Sequence, residues 1–279
     1  MQKLLFTLSL LFFSAAILAQ PVMLDTAQNR YMKVDDVTLH YRIWGKGEPV
    51  LLLHGAMEYW REWKNQIPGL VKNFKVIAVD TRGHGESSFT DRELSYDLFA
   101  SDMNTFIHNL GYDSINIVGF GDGGIIGMRL AMQHPELVRR LVAIGSNVSC
   151  DTTAVYPDVL DKVRSWDHEK MAFYLQVKFK ESPNNLQLKN VSKRMQKLLL
   201  TEPHLTYDDL DKVRCPTLIM AGDHDLIKLS HTEFIFENLP NGQLCIIPGS
   251  THYCIKEKPN VVNAAIRDFL TIAQTAVRR

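Results

Sequence analysis

The chain has 279 residues, 46% of them hydrophobic, and its 31 Lys and Arg residues balance its 31 Asp and Glu residues. This length fits one large α/β domain, or such a domain with an insertion, and exceeds that of small domains that need disulfides to fold. Because the charges balance and the basic residues are scattered, the composition gives no indication of a nucleic-acid partner or a polyanionic surface.

The N-terminal segment is typical of a secretory signal peptide. A single Lys precedes an apolar run that ends in small residues at "AILAQ". We expect cleavage after Ala19, which removes residues 1–19 and exports the protein to the periplasm or beyond. A membrane anchor is the alternative, but the run is shorter than the ~20 apolar residues that a membrane-spanning helix needs. We therefore expect no membrane span in the mature chain.

The next elements alternate between strands and helices. Residues 31–45, "YMKVDDVTLHYRIWG", alternate apolar and polar side chains on both sides of Asp35 and Asp36, which predicts a β-hairpin. Six continuously apolar runs follow, as is typical of parallel strands buried on both faces. They read "PVLLLHG", "KVIAVD", "SINIVG", "RRLVAIGS", "PTLIMAGD" and "GQLCIIPG". Between them lie helical patterns, of which one begins after Ser95 as N-cap and ends at Gly111. The order predicts an open, mostly parallel, eight-stranded sheet with helices on both faces.

Residues 149–210 interrupt this alternation, because they contain no strand-like run. Their amphipathic pieces, residues 158–180 and 190–200, have helical spacing. A segment this long between two core strands is better explained as a helical insertion than as a loop. We name it the cap segment and expect it to cover the C-terminal edge of the sheet, where open α/β folds bind ligands. Residues 20–148 and 211–279 then form the core.

The four cysteines leave the disulfide pattern open. Cys150, Cys215, Cys245 and Cys254 can pair in three ways. Export permits disulfides, but free buried thiols are equally compatible with a domain of this size.

Five short motifs follow the predicted strands. "HG" follows the third strand, "DTRGHGESS" the fourth, "GFGDGG" the fifth, and "GDHD" and "GSTHY" the last two. Each is weak alone. In this order, over about residues 31–270, they resemble the α/β-hydrolase superfamily, and within it the branch of serine ester hydrolases with a helical cap. The resemblance implies an α/β-hydrolase fold and a nucleophile elbow, which is a sharp strand-to-helix turn, at "GFGDGG".

The resemblance also implies a role for individual residues. Asp225 matches the triad acid and His252 the general base, while Ala56 and Asp122 match the residues whose backbone N–H groups form the oxyanion hole. Histidine titrates near neutral pH and needs a carboxylate on its other nitrogen to fix the tautomer. Without the other motifs, His252 would be an ordinary loop histidine and Asp225 a turn residue.

Other residues in or near these motifs are expected to have structural roles. His54, Asp80, His84 and Ser87 belong to the family motifs, and we expect them to shape loops. Asp223 precedes Asp225 in the same motif, but the family register favours Asp225 as the acid. The aromatic residues near the predicted site either line a pocket or belong to the core; they are Trp60, Trp63, Trp166, Phe173 and Tyr174.

Position 121 departs from the family pattern. Most members with G-F-x-D-G-G carry Ser at its third position, and this chain has Gly121, which cannot form an acyl-enzyme. Asp122 is a poor substitute, because using it as the nucleophile would shift the register and put bulky Phe120 at a position that requires a small residue. Cys254 lies two residues past the base, outside the elbow.

The same glycines also match a dinucleotide-binding fingerprint. Gly119, Gly121 and Gly124 have the spacing G-x-G-x-x-G. That fingerprint usually follows the first strand of its unit and precedes an acidic residue by about 20 positions. Here the glycines follow the fifth strand and no such acid appears, so we expect neither a dinucleotide nor another cofactor or metal.

Four hypotheses fit a glycine at the nucleophile position. Gly121 was introduced into a serine hydrolase, water replaces the serine, the protein binds a ligand without turnover, or a His–Asp dyad moves protons in a lyase or oxygenase reaction. The sequence favours hydrolysis of a small, apolar carboxylic ester, or less readily an amide, with activity that is weak, water-mediated or lost. The alternative is a non-catalytic ligand-binding protein of the same fold. The sequence does not indicate an oligomeric state.

Overall fold

A computed structural model of the chain describes residues 24–271. The predicted signal peptide, residues 1–19, lies outside the described residues. Within residues 24–271, no helix combines the length and apolarity that crossing a membrane requires.

Eight strands form the sheet found in this part of the chain. They are β1 (Arg30–Val34), β2 (Val37–Trp44), β3 (Glu48–Leu53), β4 (Phe74–Val79), β5 (Ile115–Phe120), β6 (Val138–Ile144), β7 (Thr217–His224) and β8 (Gly242–Thr251). Their order is β1-β2-β4-β3-β5-β6-β7-β8. The hairpin strands β1 and β2 pair antiparallel, β2 pairs antiparallel with β4, and all other neighbours are parallel. The prediction of an eight-stranded, mostly parallel sheet is confirmed.

Helices connect the strands. They are α1 (Ile67–Leu70), α2 (Tyr96–Asn109), α3 (Asp122–Gln133), α4 (Pro157–Arg164), α5 (His168–Lys178), α6 (Leu188–Thr201), α7 (Tyr207–Leu210), α8 (Leu229–Glu237), α9 (Cys254–Glu257) and α10 (Pro259–Thr271). Two short 3-10 helices span Leu24–Thr26 and Trp60–Asn65.

The central strands are buried on both faces. Successive side chains of a strand point to opposite faces of the sheet. Leu51 and Leu53 of β3 join one hydrophobic cluster with α2 and α3, while Val50 and Leu52 join another with α1 and α10. All four side chains are fully buried, which explains why the strand is continuously apolar in the sequence.

Helix α2 has the predicted boundaries, set by its caps. The Ser95 hydroxyl accepts the Leu98 N–H at 3.0 Å, as an N-cap does. The cap segment adds a second contact, since the Glu202 carboxylate accepts the Tyr96 N–H at 3.0 Å. Gly111, in the left-handed region with φ +80°, follows the last turn.

The cap segment contains α4 to α7 between β6 and β7. Residues 158–180 look like one amphipathic piece in the sequence, but the structure divides them into α4 and α5. The break occurs because the Asp167 side chain accepts the N–H groups of Glu169 and Lys170 and so begins a new helix.

The strand order places the candidate residues at one edge of the sheet. Strand β3 lies between β4 and β5 in the sheet. The chain therefore passes from β3 to its neighbour β4 on one side, and then crosses from β4 to β5 on the other side of β3. Such a switch opens a crevice at the C-terminal ends of the strands. Ala56 follows β3, Gly121 follows β5, and Asp225 and His252 come directly after β7 and β8.

The structure also answers the question of the disulfides. Cys150, Cys215, Cys245 and Cys254 are all free thiols.

Candidate active site

Gly121 occupies a strained turn between β5 and α3. Its φ is +52° and its ψ is −118°, a backbone conformation that side-chain-bearing residues rarely adopt. Two contacts to the end of β6 fix this turn. The Gly121 N–H donates to the Ile144 carbonyl at 2.8 Å, and the Ser146 hydroxyl donates to the Gly121 carbonyl at 2.9 Å. The chain therefore turns sharply at residue 121.

The other three glycines of "GFGDGG" are required by close packing. A Cβ on Gly119 would lie 2.2 Å from the backbone of Gly123, and one on Gly123 would lie 2.0 Å from the carbonyl oxygen of Leu53. A Cβ on Gly124 would meet the Ser146 hydroxyl at 2.0 Å. These contacts let α3 start directly against the sheet, which is the packing role of small residues in an elbow.

Gly121 differs from these three because a side chain has room there. An ideal Cβ would lie 3.5 Å from Cα of Gly55 and 3.9 Å from Nε2 of His252, both ordinary contact distances. The conformation favours glycine, but the space does not require it. Residue 121 is thus the one position of the turn from which a side chain would project toward the imidazole.

His252 and Asp225 form the predicted pair. Asp225 Oδ1 lies 2.7 Å from Nδ1 of His252, and the Asp225 side chain is only 2% exposed. The same carboxylate oxygen accepts the Ile227 N–H at 3.0 Å, which holds the acid in place. Asp223 is engaged elsewhere, with its carboxylate on the N–H groups of Gly249 and Ser250. The geometry thus places Asp225, not Asp223, at the imidazole.

Three neighbours position the His252 ring, and the sequence motifs predicted this role for none of them. The ring centroids of Phe120 and Tyr253 lie 4.9 Å and 5.5 Å from that of His252. Gly145, after β6, has φ +59°, and a Cβ there would lie 2.9 Å from His252 Cε1 and 3.0 Å from Nδ1. Gly145 therefore allows the imidazole to lie directly against the backbone. Its only sequence signal is a glycine at a strand end, which is too common to single it out.

Ala56 and Asp122 bring two backbone N–H groups to the same crevice. Ala56 lies in the turn after β3, and Asp122 is the first residue of α3, where a helix leaves its N–H groups unpaired. Neither N–H donates a hydrogen bond within residues 24–271. Both residues line one pocket with Gly121 and His252. The positive end of α3 adds to the attraction for negative charge at this point.

The residues expected to shape loops do so. His54 Nε2 accepts the Thr81 N–H at 3.0 Å, and His84 Nε2 accepts the Met57 N–H at 3.3 Å. Met57 has φ +57°, so His84 supports a strained residue next to Ala56. Burial lowers the pKa of both His54 and His84, the latter to about 3, so each stays a neutral acceptor.

Asp80 and Ser87 support the same region. The Asp80 carboxylate accepts the N–H groups of Trp60 and Glu86 at 2.7 and 3.0 Å. The Ser87 hydroxyl donates to the Asp80 carbonyl at 2.6 Å and accepts the His40 N–H at 2.8 Å. Both side chains hold loops together rather than facing the crevice.

The Asp122 side chain brings a second titratable group to the site. Burial raises the pKa of this carboxyl to about 6, against the opposing influence of the Tyr96 hydroxyl and of His252. Tyr96 is also buried, and its hydroxyl makes no hydrogen bond of ordinary geometry with the described residues. Asp122 thus contributes an N–H from its backbone and a poorly solvated carboxyl from its side chain.

These residues line a pocket of about 240 Å³ beneath the cap segment. The cap segment supplies an apolar wall of Val155, Val159, Leu160, Val163, Trp166 and Leu199. Three carboxyl groups, of Glu58, Asp122 and Glu202, also line the pocket, and no Lys or Arg is among its lining residues. The pocket is small, its cap side is apolar except for Glu202, and Glu58 and Asp122 are the acidic residues on its core side.

The aromatic residues divide between the pocket, the core and the surface. Trp166 lines the pocket, whereas Trp60 and Trp63 are 1% and 0% exposed and belong to the core. Phe173 and Tyr174 on α5 are exposed and do not line this pocket. Cys254 is fully buried, and burial raises the pKa of its thiol to about 12, so it is unsuited to act as a nucleophile.

Charged residues behind Ala56 connect the core to the cap segment. Glu58 pairs with Lys178 of α5 at 2.7 Å, and both side chains are 15% exposed. Next to them, Glu62 pairs with Lys256 at 2.8 Å, while burial and the adjacent Glu58 raise the pKa of Glu62 to about 7.

Among residues 24–271, no three His, Cys, Asp or Glu side chains are grouped so as to hold a metal ion.

Comparison with known proteins agrees with this architecture. The family model described as "alpha/beta hydrolase fold" matches residues 48–185. Serine hydrolase BPHL of Mus musculus is 29% identical over 250 residues, which cover 85% of this chain and 84% of that protein. Epoxide hydrolase 1 of Caenorhabditis elegans is 24% identical over 294 residues, covering 90% of this chain and 72% of that protein.

Solved structures show the same fold. A thermophilic esterase from Thermogutta terrifontis, solved with malate bound, superposes with a TM-score of 0.69 and 24% identity, covering 88% of this chain and 98% of that one. At this level of identity the likeness concerns the fold alone.

Proposed function

The chain belongs to the α/β-hydrolase fold superfamily, and we propose that it hydrolyses small carboxylic esters with a water molecule, activated by His252, as the attacking nucleophile. The observation that carries this proposal is the space between Gly121 and His252. A Cβ at residue 121 would lie 3.9 Å from Nε2, so the nucleophile's side of the imidazole opens into the pocket. No side chain of the elbow occupies that space, since residue 121 is glycine.

The remaining groups have the arrangement that ester hydrolysis needs. A water between the imidazole and the ester carbonyl gives its proton to Nε2 of His252 as its oxygen attacks the carbonyl carbon. The Ala56 and Asp122 N–H groups stabilise the oxyanion that forms. Asp225, 2.7 Å from Nδ1, fixes the tautomer and stabilises the imidazolium. The departing alkoxide then takes the proton from His252.

The absence of a covalent intermediate limits the rate. When one member of a triad is removed, the oxyanion hole and substrate binding retain roughly 10³–10⁴-fold catalysis over the uncatalysed reaction. We therefore expect slow but His252-dependent turnover.

The pocket restricts the substrate by size and charge. Its volume of about 240 Å³ suits a short acyl group with a small leaving group. The carboxyl groups of Asp122 and Glu202, with no Lys or Arg among the described lining residues, disfavour an ester that carries its own negative charge, whereas Glu58 is paired with Lys178. Short, uncharged and apolar esters are the expected substrates, with amides as poorer ones.

Epoxide opening is less well supported, although some relatives are named epoxide hydrolases. That chemistry on this fold uses an aspartate as the nucleophile of the elbow. Here the strained position is residue 121, and Asp122 is already the first residue of α3. An aspartyl nucleophile would therefore be one position out of register.

We further propose that the cap segment, residues 149–210, selects the substrate and that the protein is exported after removal of residues 1–19. The apolar wall of the pocket supports the first proposal. The composition of the N-terminal segment supports the second, and N-terminal sequencing of protein from a cell fractionation tests it.

Hydrolysis of short nitrophenyl esters by the unmodified chain tests the central proposal. We expect activity above the buffer rate, and we expect His252→Ala to lower kcat/KM by about 10²-fold or more. His224→Ala is the matched control, because His224 is an exposed histidine that pairs with Asp223 away from the pocket. An unmodified protein without hydrolysis, but with saturable binding of ester analogues, would instead indicate the ligand-binding alternative.

A further inference from the structure

We propose that the same site transfers acyl groups to small primary alcohols by direct displacement, so that the protein forms esters as well as hydrolysing them. This inference rests on the proposed function, because it uses the same His252 and the same N–H groups. It adds a second substrate class, the short alcohols, that enters at the nucleophile position beside Gly121.

The geometry leaves the nucleophile unattached to the protein. In an elbow with a side chain, residue 121 would supply the attacking atom, but here the nearest atoms to its Cβ position are Cα of Gly55 and Nε2 of His252, at 3.5 and 3.9 Å. Nε2 makes no hydrogen bond within the part of the chain that the structure describes. Any small molecule can replace water as the nucleophile if its O–H group donates a hydrogen bond to Nε2 and its oxygen reaches the carbonyl carbon of the ester.

The backbone of Gly121 limits how closely the oxygen of such a molecule can approach the turn. A serine oxygen would stand two bonds from Cα, whereas an unattached oxygen keeps a contact distance of about 3.3 Å from carbon. The nucleophile is therefore displaced from the turn into the pocket that the apolar cap residues also line, and an alkyl group on its oxygen enters that pocket. Because the ester occupies the same 240 Å³, only a short alkyl group fits beside it.

The transfer step balances without a further reactant. The alcohol oxygen forms a bond to the carbonyl carbon while its proton passes to Nε2 of His252. The oxyanion is held by the N–H groups of Ala56 and Asp122 and then collapses, which breaks the bond to the original leaving group. That leaving group takes the proton from His252. The products are a new ester and the leaving alcohol or phenol.

Direct displacement has a signature that an acyl-enzyme does not have. In a covalent mechanism the leaving group has departed before water or alcohol attacks, so the ratio of new ester to acid is the same for all leaving groups. In direct displacement the leaving group is still bound when the nucleophile enters. The ratio therefore depends on the leaving group, because both share one small pocket.

The experiment measures acid and methyl ester in the same reaction by chromatography. The unmodified protein is given phenyl butyrate or ethyl butyrate at a fixed methanol concentration, and a parallel reaction replaces methanol with 2-propanol. We expect methyl butyrate in a ratio to butyric acid that differs roughly threefold or more between the two substrates, and roughly tenfold less isopropyl ester. Gly121→Ser is the control with an attached nucleophile, for which the two ratios should be equal. His252→Ala gives the background.

Each outcome supports or overturns the proposal. Methyl ester above the His252→Ala background, with a ratio that depends on the leaving group, supports it. Acid without methyl ester overturns the transfer proposal and leaves hydrolysis standing. Methyl ester in equal ratios from both substrates also overturns it, because that result requires a common covalent intermediate. Neither product overturns both proposals.

Discussion

The ideal Cβ position of Gly121 lies 3.9 Å from Nε2 of His252, at a turn where the other three glycines have no room for a side chain. This distance is the basis of our proposal that residue 121 stands where the nucleophile of a serine hydrolase would face its base. The elbow, the dyad and the two N–H groups are all assembled around a residue that has no reactive atom. The consequences of this arrangement can be measured at neighbouring residues as well as at Gly121.

Gly145→Ala should inactivate the site without unfolding the protein. The new Cβ would lie 2.9 Å from Cε1 of His252 and would force the imidazole away from the pocket. A displacement of this kind lowers activity by about tenfold or more. Steady-state hydrolysis and thermal unfolding of the purified variant measure the two effects separately.

Gly111→Ala controls for backbone strain in that experiment. Gly111 also has positive φ, at +80°, but a Cβ there meets nothing within 4 Å. Both variants should lose a similar amount of stability, roughly 1 kcal/mol, because alanine is strained at positive φ. Equal activity losses in the two variants would contradict the assigned role of Gly145.

The ion pair between Glu58 and Lys178 should connect the cap segment to the turn that holds Ala56. The two side chains are 2.7 Å apart and mostly buried, and Glu58 follows Ala56 by two residues. Glu58→Gln and Lys178→Met should each lower kcat severalfold, and a double-mutant cycle in urea unfolding should give a coupling energy of about 1 kcal/mol. If the effects of the two substitutions on kcat and on the free energy of unfolding were additive, the ion pair would not connect the cap segment to the turn that holds Ala56.

The buried Asp122 carboxyl should make stability depend on pH. Its pKa is raised from 3.8 to about 6, so the native state binds this proton more tightly than the unfolded chain does. The resulting stabilisation is complete below pH 3.8 and is lost as the pH rises through about 6.

The variant Asp122→Asn tests this dependence, because its side chain is uncharged at every pH. Between about pH 4 and pH 7.5, the variant should gain about 1–3 kcal/mol in free energy of unfolding relative to the unmodified protein. Urea unfolding at several pH values measures this difference. If the free energies of unfolding of the two proteins varied with pH in parallel, burial would not raise the pKa of the Asp122 carboxyl.

The acidic lining should exclude esters that carry a negative charge. Glu58, Asp122 and Glu202 line the pocket, and although Glu58 pairs with Lys178, no Lys or Arg is among the described lining residues. Monoethyl succinate should be hydrolysed about tenfold or more slowly than diethyl succinate, because like charges repel in a poorly solvated pocket. Equal kcat/KM values for this pair would contradict the expected substrate class.

Much of the architecture follows from local sequence patterns. The apolar runs predict strands because β3 to β6 lie in the middle of a sheet that is covered on both faces. The glycines around residue 121 are recognisable because close packing at the elbow demands small residues at fixed spacing. For the same reason Ser95 and Gly111 correctly mark the ends of α2, since capping is a local interaction.

The features that the sequence could not supply depend on contacts between distant residues. Gly145 matters only because β6 and β8 bring it against His252, and nothing near Gly145 in the sequence reports that contact. Glu58 and Lys178 are likewise far apart in the sequence, and nothing near either residue in the sequence indicates that the two side chains pair. The break between α4 and α5 is a different case, because the Asp167 cap is a local interaction but the helical spacing of apolar residues continues on both sides of it.

The most direct test of the account is covalent labelling of Gly121→Ser with a fluorophosphonate, followed by intact-protein mass spectrometry. We expect one adduct on this variant, none on the unmodified protein, and none on Gly121→Ser combined with His252→Ala. We also expect Gly121→Ser to hydrolyse nitrophenyl esters about 10²-fold or more faster than the unmodified protein. A folded Gly121→Ser variant that takes no label and gains no activity would contradict the assignment of residue 121 as the nucleophile position of an assembled hydrolase site.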